Sequence, residues 1–276
     1  MDDAVAPLPI SPPPGAAADW TVPQAWADYT AAEHALWDQL FARQTAILGD
    51  RAAPALLHGL DVLKLSNGGI PDFAELSERL NALTGWTVAA VPGLVPDEVF
   101  FRHLANRTFV AGRFIRTPDQ IDYLPEPDIF HDVFGHVPML AHPVFADYMQ
   151  AYGKGGLKAL GLGSLHHLAR LYWYTVEFGL IATSDGIRIY GSGIVSSKGE
   201  SIYCLDDAKP NRIAFDLLRV MRTRYCIDDY QETYFVIDSF EQLFAATQPD
   251  FTPYYAALEG VADLEPGEVV AADRRL

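Results

Sequence analysis

Two histidines five residues apart, His131 and His136, stand in the segment PEPDIFHDVFGHVP, residues 125–138, and both offer ring nitrogens that can bind a metal. Asp128 is placed to cap a short helix there, Gly135 to end it and Pro138 to bar its continuation. On a regular α-helix five residues separate two side chains by about 140°, so the pair shares one ion only where the backbone departs from regularity. Gly135 can supply that departure. The zinc-protease pattern HExxH differs: its histidines stand four apart around a glutamate base, whereas the acid here is Asp132. Histidines at this spacing also serve as core hydrogen-bonders or surface residues, so the pair alone leaves the metal reading open. Glu177 narrows it. It lies in LYWYTVEFGLIA, where every neighbour from Leu171 to Ala182 except Thr175 is apolar or glycine. An ionised carboxylate left alone there costs on the order of several kcal/mol, so it must pair with a cation such as arginine or bind a metal. Two imidazoles and one carboxylate with open positions is the facial donor set that suits a non-haem Fe(II) oxygenase.

These residues need elements to position them. Thr30 and Glu33 form a capping box for a helix that runs to Gly49, and Phe73, Leu76, Leu80 and Leu83 repeat at helical spacing over Asp72–Leu83. Trp86–Val91 reads as a short strand, and PDEVFFRHLA as a helix start with acids in its first turn. Ser164–Ala182, which carries Glu177, is apolar and long enough to predict a helix buried on most sides. GIRIYGSGIVSS after it predicts a small β-ribbon, Arg212–Arg222 a helix, YFVI at 234–237 a strand, and SFEQLFAAT a closing helix. The expectation is a mostly α fold with a small β component. It comprises a flexible Pro/Ala-rich tail over 1–19, a single catalytic domain over 20–264, and a second loose tail over 265–276.

Composition limits the partners. A formal charge of −16 argues against general affinity for nucleic acid or anionic membranes, both of which reward a basic surface. The sequence opens without the basic start and apolar stretch of a secretory signal, and no run of about 18 apolar residues occurs. Cys204 and Cys226 form neither a closely spaced metal motif nor a disulfide framework, which fits a reducing cytoplasm. A small-molecule ligand is the expectation.

PEPDIFHDVFGHVP, WYTVEFGL and YGSGIVSSKGE, in this order and at these separations, resemble the signature segments of the pterin-dependent aromatic amino acid hydroxylases, above all the short bacterial phenylalanine 4-hydroxylases. The resemblance runs from about Trp20 to Ala246. It implies a mononuclear Fe(II) held by His131, His136 and Glu177, a tetrahydropterin cosubstrate (tetrahydrobiopterin or a related bacterial pterin), O2, and conversion of L-phenylalanine to L-tyrosine. That reaction serves phenylalanine catabolism or tyrosine biosynthesis. By position, the resemblance implies that Arg116 holds the substrate carboxylate, that Asp128 orients Arg116, and that Trp173 packs on the substrate ring. Gly193, Ser196 and Ser197 match the loop touching the substrate and the histidines. Phe100 matches the aromatic that stacks on the pterin, with Phe101 as neighbour; Tyr172 and Asp132 fall beside the cosubstrate, and Glu200 falls near the site. Val236 matches the small apolar residue expected for phenylalanine, where a tyrosine hydroxylase tends to carry an acid. Leu124 stands where the animal enzymes have a threonine. The animal enzymes' regulatory domain and tetramer-forming helix find no counterpart in 276 residues, so a monomer is expected. Two rivals remain: a zinc hydrolase using the same donors, and a binding protein that keeps the fold without catalysis.

Overall fold

The capping box at Thr30 is formed: its hydroxyl accepts from the Glu33 backbone N–H at 3.2 Å, and the Glu33 carboxylate accepts from the Thr30 N–H at 2.7 Å. It opens α1 (Ala31–Leu48). The computed structural model describes residues 11–122, 124, 126–248 and 250–276. Residues 1–10 of the expected tail, and Pro125 at the head of the histidine segment, lie outside the described residues. After α1 come α2 (Pro54–Val62), α3 (Phe73–Thr84), β1 (Thr87–Val91), α4 (Asp97–Ala105) and β2 (Thr108–Gly112). The middle of the chain carries a π-helix, π1 (Phe130–His136), then α5 (Val137–Leu140), α6 (Pro143–Leu162), α7 (Leu165–Tyr172) and a second π-helix, π2 (Trp173–Glu177). It continues with β3 (Leu180–Thr183), β4 (Gly186–Ile189), α8 (Ser192–Ser196), α9 (Lys198–Asp206) and β5 (Asn211–Ala214). The remaining elements are α10 (Leu217–Arg222), β6 (Thr233–Ile237), α11 (Phe240–Thr247) and α12 (Thr252–Leu258).

Helices dominate, with β1 and β2 pairing in parallel and a four-stranded sheet in the order β4-β3-β6-β5. In that sheet β3 and β4 are antiparallel, while β6 runs parallel to both its neighbours. The core runs through π1, whose Phe130, Val133 and Phe134 are fully buried beside Trp37 of α1. α4 lies close on α6 because α6 has glycines at the contact: a Cβ on Gly153 would sit 2.5 Å from the Ala105 backbone nitrogen, and one on Gly156 2.2 Å from the Phe101 ring.

Several expectations change. The helix at His131 does not stop at Gly135 but passes through His136 into α5, where Pro138 sits in the first turn and needs no N–H donor. The apolar run Ser164–Ala182 is not one helix: α7 widens into π2, and Gly179 then turns the chain into β3. A Cβ at Gly179 would lie 2.2 Å from the Thr175 carbonyl, so the turn needs glycine. Only Gly186–Ile189 of the expected ribbon is strand, and Ser192–Ser196 is helix α8. Arg212–Arg222 begins as strand β5 and becomes helix only at Leu217. The stretch 265–276 is docked rather than loose. Asp273, with its side chain 3% exposed, pairs with buried Arg219 at 2.9 Å, and the Leu276 N–H donates to the Arg212 carbonyl on edge strand β5. A buried guanidinium needs a carboxylate and an edge strand needs backbone partners; this segment supplies both.

Candidate metal centre and substrate site

The π-helix resolves the five-residue spacing of the histidines. Its i→i+5 hydrogen bonding brings residues five apart onto one face, which a regular α-helix cannot do. His131 Nε2 and His136 Nε2 accordingly face each other at 3.2 Å. π2 delivers the third donor: Glu177 Oε1 lies 3.2 Å from His136 Nε2, and Oε2 lies 3.6 Å from His131 Nε2. Among the described residues this is the one group of three or more His, Cys, Asp or Glu side chains able to hold a metal, its donor atoms all within 4.8 Å of one another.

The protonation states suit a cation. Ser196 Oγ donates to the Ser192 carbonyl at 2.9 Å, so at 2.9 Å from His131 Nδ1 it accepts, and the ring proton is placed on Nδ1. His131 Nε2 is then a free lone pair aimed at the cluster. Burial pushes the His131 pKa down to about 4, only partly opposed by Glu177, so the imidazole is neutral at physiological pH. Burial alone would raise Glu177, but His136, His131 and the Ser192 hydroxyl, which donates to Oε2 at 2.8 Å, outweigh it and hold the carboxyl at about 2. A neutral imidazole and an ionised carboxylate are what metal binding requires. Two nitrogen atoms and a carboxylate, with no arginine between them, leave an uncompensated negative charge that a divalent ion fits.

The open side of the cluster is a cavity of about 250 Å³ lined in part by Phe100, Asp132 and Tyr172 together with His131, His136 and Glu177. Phe100, and not Phe101, faces it: Phe101 is buried against Gly156 and Tyr152, whereas the half-buried Phe100 ring meets Tyr172 edge-on at 5.8 Å. Asp132 Oδ2 accepts from the Gly112 N–H at 2.7 Å, yet burial dominates and lifts the acid to about 7. Asp97, on the same wall, is raised by burial too. A wider cleft of about 560 Å³ beside α6, α11 and α12 contains no member of the donor set.

Arg116 and Asp128 form a buried bidentate pair, Nε to Oδ2 at 2.9 Å and Nη2 to Oδ1 at 2.8 Å. Asp128 Oδ1 also accepts from the His131 N–H at 3.1 Å, so one carboxylate bonds both the first turn of π1 and the guanidinium. Trp173 starts π2, stacked on Tyr225 at 4.2 Å between ring centroids. Gly193 is packed against Phe178, where a Cβ would approach to 2.9 Å. Of the serine pair only Ser196 touches a histidine; the Ser197 hydroxyl caps α9 by accepting from the Glu200 N–H. Val236 lies mid-sheet in β6, paired with Leu180 and Ala214 and 1% exposed, and is not among the residues lining the 250 Å³ cavity. Sequence reasoning missed Ser192, Gln231 and Tyr225, which hold Glu177 and Trp173. A serine among glycines carries no signal of a carboxylate partner fifteen residues away.

Comparison with known proteins agrees with this geometry. Residues 19–253 match the family described as biopterin-dependent aromatic amino acid hydroxylase. A phenylalanine-4-hydroxylase of Caulobacter vibrioides is 63% identical over 266 residues, covering 96% of this chain and 90% of that protein. Two crystal structures of the Chromobacterium violaceum phenylalanine hydroxylase superpose closely. The one with iron and phenylalanine bound has a TM-score of 0.90 at 55% identity, covering 96% of each chain. The one with iron(III) and 7,8-dihydrobiopterin has a TM-score of 0.91 at 56% identity, covering 96% of this chain and 95% of that one. With the match spanning the histidine segment, π2 and the sheet alike, the chain belongs to the biopterin-dependent aromatic amino acid hydroxylases.

Proposed function

We propose that this protein is a phenylalanine 4-monooxygenase that converts L-phenylalanine to L-tyrosine with O2 and a tetrahydropterin at a mononuclear Fe(II). The observation that carries the reading is the convergence of His131 Nε2, His136 Nε2 and Glu177 at one end of a cavity walled by Phe100 and Tyr172. His131, His136 and Glu177 would hold the iron, and when bound the iron and the reduced pterin supply the activation of oxygen. Phe100 offers the pterin a flat face, and Asp132 and Tyr172 offer polar edges beside it. Arg116 binds the substrate carboxylate. Its Nε–Nη2 edge is taken by Asp128 and Nη1 donates to the Ile121 carbonyl at 3.4 Å, so the remaining Nη1 and Nη2 N–H groups are those a ligand carboxylate would take. Trp173 bounds the aromatic ring and holds it near the donor set, a proximity effect. Gly193, Ser196 and Ser197 close the loop behind the histidines, and Val236 acts on the ring pocket through the sheet beneath it.

The zinc-hydrolase reading loses support because the chain belongs to the biopterin-dependent aromatic amino acid hydroxylases. The protein acts in the cytoplasm as a monomer. Both cysteines are free, no helix among the described residues is long and apolar enough to cross a membrane, and the charge of −16 opposes self-association. Tyrosine formation measured with and without Fe(II) and tetrahydropterin tests reaction, metal and cosubstrate together. Turnover that needs neither would overturn the assignment, and light scattering at tetramer mass would overturn the monomer.

A further inference from the structure

Trp173 is held in place by groups that the proposed reaction does not employ. Its ring stacks on Tyr225 at 15° between planes and meets Phe178 at 5.0 Å, and its indole N–H donates to Gln231 Oε1 at 2.9 Å. Gln231 is 1% exposed. Its Nε2 donates to the Cys226 carbonyl at 2.7 Å, which fixes the amide so that Oε1 is the atom facing the indole. Its backbone N–H donates to Glu200 Oε1 at 3.1 Å, and the same oxygen accepts from the Tyr234 hydroxyl at 2.5 Å. A buried glutamine with both ends of its amide committed is a rigid fixture.

We propose that Gln231 is a positioning residue for the substrate ring, setting the plane of the Trp173 indole through a relay that runs Glu200–Gln231–Trp173. This rests on the reading of Trp173 as the wall against the substrate ring. The relay matters because Trp173 opens π2 and Glu177 ends it, so the indole and the carboxylate ligand share five residues of backbone. With the indole N–H tied down, the wall keeps its distance from the donor set. Released from Gln231, the ring can tilt within the stack on Tyr225, and the pocket loses its fit to a six-membered ring.

The test is a double-mutant cycle on the holoenzyme with Gln231→Leu and Trp173→Phe. Losing one buried neutral hydrogen bond should raise KM for phenylalanine roughly three- to tenfold in Gln231→Leu. In the same variant kcat should stay within about twofold and iron content should be unchanged, because this loss weakens binding and leaves the donors in place. In the Trp173→Phe background, where no indole N–H exists, Gln231→Leu should add nothing. Gln231→Glu, kept protonated by burial and so isosteric with the amide, should retain the wild-type KM. Independently of turnover, the ¹⁵N-indole resonance that disappears in Trp173→Phe should shift in metal-free Gln231→Leu. Equal effects of Gln231→Leu in both backgrounds, or a KM rise in Gln231→Glu as large as in the leucine variant, would overturn the relay. If Trp173→Phe itself leaves KM unchanged, the ring-wall reading falls and the proposal with it. If Trp173→Phe raises KM while Gln231→Leu does not, the relay alone falls.

Discussion

Ser196 settles which nitrogen of His131 faces the metal, and it does so with a single proton. Because that proton goes to the Ser192 carbonyl, the hydroxyl can only accept from His131 Nδ1, and the imidazole is presented in one tautomer. Ser196→Ala should therefore lower the affinity for Fe(II) by about ten- to a hundredfold, the usual cost of losing such a partner, with the fold intact by circular dichroism. An unchanged binding isotherm would mean that the tautomer is fixed elsewhere. Arg116 poses a different question, since on the proposed reading it would serve two carboxylates at once. Its Nε–Nη2 edge binds Asp128, and an ammonium at the same place cannot satisfy Asp128 and a substrate carboxylate together. Arg116→Lys should raise KM for phenylalanine by at least tenfold, about 1.4 kcal/mol, while iron binding survives. Steady-state kinetics beside metal analysis decides it: wild-type KM in the lysine variant would place the substrate carboxylate elsewhere.

Each metal-binding element is a π-helix, and the α8 loop packed between them ties π1 and π2 together. Ser192 bonds Glu177 from one side and Gly135 of π1 lies against Ser192 from the other, where a Cβ would approach the Ser192 carbonyl to 3.0 Å. Gly191 makes the close approach to π2 possible: a Cβ there would lie 2.4 Å from the Glu177 carbonyl oxygen and 2.4 Å from the Gly179 nitrogen, both rigid backbone. Gly191→Ala should destabilise the protein by roughly 2–4 kcal/mol and weaken iron binding as well, because α8 must move away from Glu177. A thermal melt and a metal titration on that variant should fall together, and loss of stability with wild-type affinity would separate the loop from the site. The sequence made the donors legible because His131, His136 and Glu177 are chemically conspicuous in apolar surroundings. It hid how they meet. A π-turn has no composition of its own, so Gly135 looked like a stop when its role is close contact with α8. α6 was unreadable for a related reason: Gly153, Gly155, Gly156 and Gly161 mimic a loop, though Gly153 and Gly156 exist to admit α4. The run to Ala182 read as helix because an apolar stretch has no period that separates a buried helix from a buried strand.

At the scale of the whole molecule, stability is linked to protons and to the metal. Glu200 is buried beneath the sheet, and burial pushes its pKa up to about 7 despite the bonds from Tyr234 and the Gln231 N–H. The folded state thus holds a proton that the unfolded chain, at an ordinary pKa near 4.5, has released. Its contribution is fully present below pH 4.5 and is lost as pH rises through about 7. Relative to Glu200→Gln, the wild type should lose up to about 3 kcal/mol between pH 5 and pH 8, read as the difference in melting curves, and parallel curves would refute the shifted carboxyl. The metal acts through the same kind of linkage. The donors arrive from residues 131 to 177 and are prearranged only in the folded chain, so an ion that binds them stabilises the folded state by mass action. At a free Fe(II) concentration about 100 times Kd the gain is about 2.7 kcal/mol, which for a chain of this size corresponds to roughly 5–10 °C in Tm. Anaerobic melts with Fe(II) should therefore show one transition moved upward by that amount. The shift should vanish on chelation and should be absent in Glu177→Gln, which keeps the shape of the side chain and removes its charge. The number of transitions carries further weight. Residues 20–264 are proposed as a single catalytic domain, and the docking of 265–276 onto β5 and Arg219 joins the chain's end to the same core. One cooperative transition shifted as a whole by the metal supports that reading; two transitions, with only one responding to Fe(II), would show that the chain divides into units and that the donor set stabilises one of them alone.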